Sequence, residues 1–176
     1  MDKPMPNFMF QGMTLLFKLR DLLQPRADIV KDAGIRPGFH VLDFGCGPGA
    51  YTESISKMVG SAGKVYALDL HPLAIQRVQN LIGTKNLANV ETILVDDQTG
   101  LPDRSIDLVV LFDVYHMLQN PQETLAEFHR ILKPGGQLSV LEPHMKEIKT
   151  ISGVTKGKLF RLSGEGKHTL QFVKDN

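Results

Sequence analysis

The chain has 176 residues, enough for one domain with a single core, and 42% of them are hydrophobic against 22% charged, the balance of an ordinary globular protein. A net charge of +1 gives no basic field for nucleic acid; the seven Lys or Arg against three acids in residues 144–176 read as a solvated outer face. No apolar run approaches the ~20 residues of a membrane span, Asp2, Lys3 and the early prolines do not make a leader, and the single Cys46 excludes a disulfide framework or a cysteine-based metal site. The expectation is a cytoplasmic protein with no metal assigned, no nucleic-acid partner and no stable membrane insertion.

From Met13 to Ala33 apolar residues recur at three- and four-residue spacing, which predicts two short helices with Pro25 at the first turn of the second. Strand-like and helix-like segments then alternate: a strand at His40 to Phe44, a helix at Pro48 to Val59, a strand at Lys64 to Leu70, a helix at Pro72 to Ile82 and a strand at Val90 to Val95. A strand at Ile106 to Phe112, a helix at Pro121 to Leu132, a strand at Gln137 to Leu141 and a weak helix around Lys146 to Ile151 follow. The strands to this point are mostly continuous apolar runs, as expected for a parallel sheet covered on both faces by helices. The last two strands, Lys158 to Leu162 and Thr169 to Lys174, are separated by a short loop at Ser163 to Lys167. Such a loop suits a hairpin, so at least one of them runs antiparallel to its neighbour.

Residues 41 to 52 read Val-Leu-Asp-Phe-Gly-Cys-Gly-Pro-Gly-Ala-Tyr-Thr. An apolar strand ends in an acid and enters a turn of three glycines before a helix. A ligand can lie against bare backbone there, because glycine carries no Cβ and tolerates positive φ, and the helix start offers N–H donors. This is a nucleotide-cofactor turn. Its spacing satisfies both the dinucleotide pattern G-x-G-x-x-G/A, with Ala50 at the last place, and the G-x-G-x-G of adenosylmethionine binders, so the turn alone leaves both cofactors open.

Taken together with three further motifs, the chain resembles a class I S-adenosylmethionine-dependent methyltransferase from about Arg36 to Lys174. Val-Tyr-Ala-Leu-Asp at 65 to 69 resembles that family's second strand with its terminal acid. Val95-Asp96-Asp97-Gln98-Thr99-Gly100-Leu101-Pro102 is similar to the third-strand motif G-D-A-x-x-L-P, and Lys133-Pro134-Gly135-Gly136 resembles the K-P-G-G turn before strand five. The resemblance implies an α/β Rossmann-like doubly wound sheet of seven strands, mostly parallel with a C-terminal antiparallel hairpin, in the order 3-2-1-4-5-7-6. It also implies one methyltransferase domain over residues 1–176, with 1–35 as a helical cap over the cleft. Its flavour is that of the small-molecule group that includes the ubiquinone and menaquinone C-methyltransferases. Asp113-Val114-Tyr115-His116 stands where DNA-adenine and protein-glutamine enzymes carry Asn/Asp-Pro-Pro-Tyr.

S-adenosyl-L-methionine has a zwitterionic end that needs both acceptors and donors. The resemblance assigns Asp43 and the backbone of Gly45, Cys46, Gly47 and Gly49 to that end, with main-chain groups of Phe112 and Asp113 holding the amine. Tyr51 either closes over the same end or packs the first helix. Asp69 is placed to accept the ribose hydroxyls, Leu70 to lie on the adenine, and Asp97 and Gln98 to address its edge.

The acceptor is expected above the carboxyl ends of strands four and five, where His116 and His144 are the candidate bases because imidazole titrates near neutrality; Glu142 and Tyr115 rank below them. The cluster Phe8, Met9, Phe10, Met13, Leu16 and Phe17 is read as core, with an apolar substrate lining or a membrane-surface helix as alternatives. A small-molecule acceptor is the expected partner, and nothing in the sequence requires or forbids a homodimer. The competing readings are a non-catalytic adenosylmethionine-binding scaffold and an NAD-dependent oxidoreductase.

Overall fold

The computed structural model describes Pro6 and residues 26–95 and 98–175. Among the described residues one seven-stranded sheet runs through the molecule: β1 (His40–Phe44), β2 (Lys64–Asp69), β3 (Val90–Leu94), β4 (Ile106–Phe112), β5 (Leu132–Leu141), β6 (Phe160–Glu165) and β7 (Leu170–Lys174). Its order is β3-β2-β1-β4-β5-β7-β6, with β1 to β5 parallel and β7 antiparallel to both β5 and β6. The sequence-based topology is therefore met, hairpin included. The order reverses between β1 and β4, and the crevice beyond the carboxyl ends of these two strands is where doubly wound sheets bind ligands.

Five helices flank the sheet among these residues: α1 (Arg26–Asp32), α2 (Thr52–Val59), α3 (Pro72–Lys85), α4 (Pro121–Ile131) and α5 (Glu147–Thr155). Alternation along the central strands feeds two apolar layers. Leu42, Phe44, Val109 and Leu111 pack with Leu125 and Phe128 of α4, while Val41, Leu108 and Val110 pack with Ile29 and Val30 of α1 and Ile55 of α2. The Phe44 and Phe128 rings meet edge to face at 4.9 Å, an arrangement worth about 1 kcal/mol beyond its buried area. The edge strands β3 and β6 are not buried on both faces, and Leu94 of β3 is exposed.

Local physics moves several boundaries. The helix expected from Pro48 begins at Thr52, because Gly49 sits at φ +84° and holds the preceding residues in a turn. Conversely, the helix expected to end at Ile82 continues to Lys85 and stops where Asn86 adopts a left-handed conformation. Strand β5 starts at Leu132 rather than Gln137, taking in Lys133-Pro134-Gly135-Gly136. Its pairing jumps from Ile106↔Leu132 to Leu108↔Gln137, so the Pro-Gly-Gly stretch bulges out of the ladder without ending the strand. Ser163 to Glu165, read as loop, belongs to β6, with an irregularity between Leu162 and Gly164. Helix α5 extends to Thr155.

Helix α1 is the described part of the expected N-terminal cap. It is pinned at its end by Asp32, whose Oδ2 accepts the backbone N–H of His168 at 2.7 Å and of Thr169 at 2.8 Å while Oδ1 accepts that of Lys167 at 3.1 Å. Burial raises the Asp32 carboxyl, but these bonds outweigh it and hold the group below the usual carboxylate range. The first expected helix, Pro25 and the Met- and Phe-rich cluster from Phe8 to Phe17 lie outside the described residues.

Candidate active site

Strand β1 delivers Asp43 into the middle of the sheet, opposite Ala67 of β2 and Val110 of β4. Only 3% of Asp43 is exposed, and its Oδ2 accepts the Thr52 hydroxyl at 2.7 Å from the first turn of α2. Burial pushes the carboxyl up to about 6, opposed by the Thr52 bond and reinforced by the charge of Asp69. Asp69, at the end of β2, accepts the N–H of Gly47 at 2.9 Å and that of His71 at 2.8 Å. Its carboxyl is also raised, burial outweighing both bonds. Two carboxylates thus converge on one glycine turn, and their mutual repulsion makes the spot favourable for a cation.

The glycines of the turn do different work. A Cβ on Gly45, which sits at φ +72°, would come within 2.6 Å of Val114 Cγ2, so this residue joins the turn to the loop after β4. At Gly47, φ +54°, a Cβ would meet nothing within 4 Å. That open cradle, beside Asp69, is what a ligand lying on bare backbone requires. Cys46 is buried, its thiol raised well above the usual range by burial and then by Asp43 and Asp69; it is a small filler whose main chain shapes the turn. The Tyr51 ring packs edge-on against Phe112 at 5.0 Å within the core, with the Arg26 guanidinium 5.9 Å away. Arg26 Nη1 also donates to Ala50 O at 2.7 Å and ties α1 to the turn.

Leu70 follows Asp69 in the turn before α3 and is half-buried. Gln98 lines a cavity of about 490 Å³ between the loop after β3 and α4, shared with Phe44, Thr99, Leu118 and Glu127. Asp97 lies outside the described residues.

Across the crevice, β4 ends at Phe112 and the chain turns sharply at Asp113, φ +62°, whose N–H donates to Leu141 O at 2.7 Å. The β4–β5 register sets Phe112 opposite Leu141, which brings the residues that follow each strand into contact. His116, in the 3₁₀ turn Tyr115–Met117, donates its backbone N–H to Glu142 Oε2 at 2.9 Å, and its Nδ1 lies 3.0 Å from both Glu142 oxygens. Glu142 Oε1 also accepts the His144 N–H at 3.0 Å. His144 Nε2 in turn stands 3.0 Å from Asp113 Oδ1, and the two imidazoles face each other with centroids 4.6 Å apart. Tyr115 points the other way, its hydroxyl against Gly153 of α5, where burial raises its pKa.

The methyltransferase domain family matches residues 42–140, more than half of the chain. The chain belongs to the S-adenosylmethionine-dependent methyltransferases. It is 36% identical over 143 residues to the ubiquinone/menaquinone biosynthesis C-methyltransferase UbiE of Hydrogenovibrio crunogenus, covering 80% of this chain and 56% of that protein. It therefore spans about half the length of the curated relatives it matches. A S-adenosylmethionine-dependent methyltransferase from Aquifex aeolicus superposes with a TM-score of 0.77 at 25% identity, covering 88% of this chain and 91% of the other. An S-adenosylmethionine-dependent O-methyltransferase from Thermotoga maritima shares the fold, with a TM-score of 0.68 at 16% identity over 86% and 64% of the two chains. The cofactor is thus S-adenosylmethionine, and the nicotinamide alternative falls. Among the described residues no helix is long and apolar enough to cross a membrane.

In this methyltransferase domain the acid-lined cradle fits a cofactor that carries a sulfonium and an ammonium. Sequence reasoning missed Thr52 as the partner of Asp43. It also missed that Gly47 donates to Asp69, and it ranked Glu142 low although this side chain orders both histidines.

Proposed function

We propose that this domain transfers the methyl group of S-adenosylmethionine to a small-molecule acceptor by direct in-line displacement. The sulfonium supplies an activated methyl; the S–C bond breaks as the acceptor–C bond forms, and adenosylhomocysteine leaves as a neutral thioether. The protein's work is alignment and, where the acceptor needs it, removal of one proton. Asp43 and the backbone of Gly45, Cys46, Gly47 and Gly49, with the main chain of Phe112 and Asp113, are assigned to the methionine end. Asp69 is assigned to the ribose, and Leu70, Asp97 and Gln98 to the adenine. His116 and His144 are assigned to the acceptor.

The observation that carries this reading is the division of the crevice. The buried Asp43 and the half-buried Asp69 line the glycine cradle on the β1–β2 side, and two water-accessible imidazoles stand beyond β4 and β5. The relative named for quinone biosynthesis makes a cyclic, partly apolar acceptor the natural first choice, and the exposed Met117, next to His116 in the 3₁₀ turn, suits such a ring.

Calorimetric titration with S-adenosylmethionine, adenosylhomocysteine and NAD is the first test. Binding of the two adenosyl compounds at micromolar concentration without NAD binding is expected, and their failure to bind overturns the reading. A screen of phenolic, quinol and amine acceptors then follows formation of adenosylhomocysteine. Cofactor binding with no turnover on any acceptor would make the domain a scaffold instead.

A further inference from the structure

Asp113, His116 and His144 bring one carboxylate oxygen and two imidazole nitrogens within 4.8 Å of one another. We propose that this cluster binds one divalent transition-metal ion of the Zn²⁺ type. Two imidazoles and one carboxylate are a borderline N/O set, which favours Zn²⁺, Co²⁺ or Ni²⁺ over Mg²⁺ and Ca²⁺. Bonds of ~2.0–2.1 Å to such an ion set tetrahedral ligand atoms roughly 3.3 Å apart. Asp113 Oδ1 and His144 Nε2, at 3.0 Å, already have that spacing. The widest separation, within 4.8 Å, must close by up to about 1.5 Å to reach that spacing, and the movable partners are the two histidines, whose side chains are 30% and 60% exposed. Asp113 supplies the fixed corner, held at positive φ by its bond to Leu141.

Glu142 supplies a second, independent feature. Its carboxylate is 1% exposed and sits against His116 Nδ1, which fixes the ring and leaves Nε2 for a ligand. A carboxylate behind the far nitrogen of an imidazole is the usual outer support of a metal-bound histidine. The absence of cysteine partners excludes a thiolate site, yet the set needs no thiol. Three protein ligands leave a coordination position free, as in catalytic rather than structural sites. That position suits an oxygen donor such as an ionised phenol or enol; this last step rests on the methyl-transfer reading, whereas the metal site does not.

The test uses the full chain without an affinity tag, freed of metal by a chelator, then titrated with Zn²⁺ in the calorimeter and with Co²⁺ in visible absorption. One equivalent per chain is expected, with the absorption of four- or five-coordinate Co²⁺. His144→Ala and His116→Ala each weaken binding tenfold or more, Glu142→Gln weakens it about ten- to a hundredfold, and His168→Ala, outside the cluster, leaves it unchanged. Matching thermal melts exclude loss of fold, and His144 is exposed enough to remove safely. Absent or multiple weak binding, or wild-type affinity in His144→Ala, overturns the site and leaves two carboxylate–histidine pairs. Titrating the same sample with S-adenosylmethionine separates the readings. Cofactor binding without Zn²⁺ binding removes only the metal; Zn²⁺ binding without cofactor binding removes only the methyl transfer.

Discussion

Around the glycine turn the ionisable groups are buried or half-buried, raised in pKa and already hydrogen-bonded to neighbours in their own motif, as Asp43 is to Thr52 and Asp69 to Gly47. Beyond β4 and β5 the histidines are partly in water, and each leans on a carboxylate from the other strand. The first half stores unfavourable electrostatics that a cationic ligand relieves. The second stores little and can be rebuilt for a different acceptor without disturbing the core. A fold that keeps one cofactor and varies its substrate is served by this division.

The largest effect is expected where the halves touch. Gly45→Ala sets a Cβ 2.6 Å from Val114 at positive φ and should cost about 3 kcal/mol, lowering the melting temperature by roughly 6–12 °C and weakening cofactor binding as well. An unchanged melt would show that the two sides are not mechanically joined. His116→Ala should lower methyl transfer about 10²-fold with cofactor affinity nearly preserved; parallel losses in turnover and calorimetric affinity would erase the distinction between the halves.

Asp43 sharpens the electrostatic side. Its native carboxyl titrates at about 6 against an ordinary 3.8, so the folded state binds the proton more tightly. The group's contribution to stability is fully present below 3.8 and is lost as pH rises through about 6. Asp43→Asn should therefore stabilise the ligand-free protein at pH 7 by an amount on the order of 3 kcal/mol, flatten denaturation curves between pH 4 and pH 7, and weaken cofactor binding. A variant less stable at pH 7 would mean the carboxylate is structural. Asp69→Ala should weaken cofactor binding roughly tenfold, the scale of one charge-assisted hydrogen bond; equal affinity by calorimetry would overturn the ribose assignment.

The smallest effect lies outside both halves. The Asp32 carboxyl is held below 3.8, so its stabilisation is present above that value and is lost as pH falls through the lower native pKa. Asp32→Asn should melt lower than wild type at neutral pH, the gap narrowing in acid below pH 4. A gap independent of pH would assign the anchoring to side-chain shape.

The difference between the halves also explains what could be read from the sequence. Strand β1, its terminal acid and the glycine turn lie in one contiguous run, so local rules of alternation and backbone freedom were enough. The pairings Glu142 with His116 and Asp113 with His144 span about thirty residues and exist because the parallel register sets Phe112 opposite Leu141; no local rule reports a register. Pro134-Gly135-Gly136 carried the right family signal and the wrong structural one, since the partner strand absorbs the bulge. Thr52 was hidden by a helix start set too early, at Pro48, which left it inside the helix instead of at the first turn facing Asp43.

The Asp32 anchor has a consequence for biosynthesis. Its three backbone donors come from residues 135 to 137 positions later in the chain, and β7, which follows them, is threaded between β5 and β6. At about 5–20 residues per second of translation, α1 waits on the order of ten seconds or more for the partners that fix its end. Until then the helix is held by its apolar face and the Arg26 bond to Ala50, and once β5 is made its edge stays open, so a nascent chain stalled before Lys167 would present an unpaired strand to the cell.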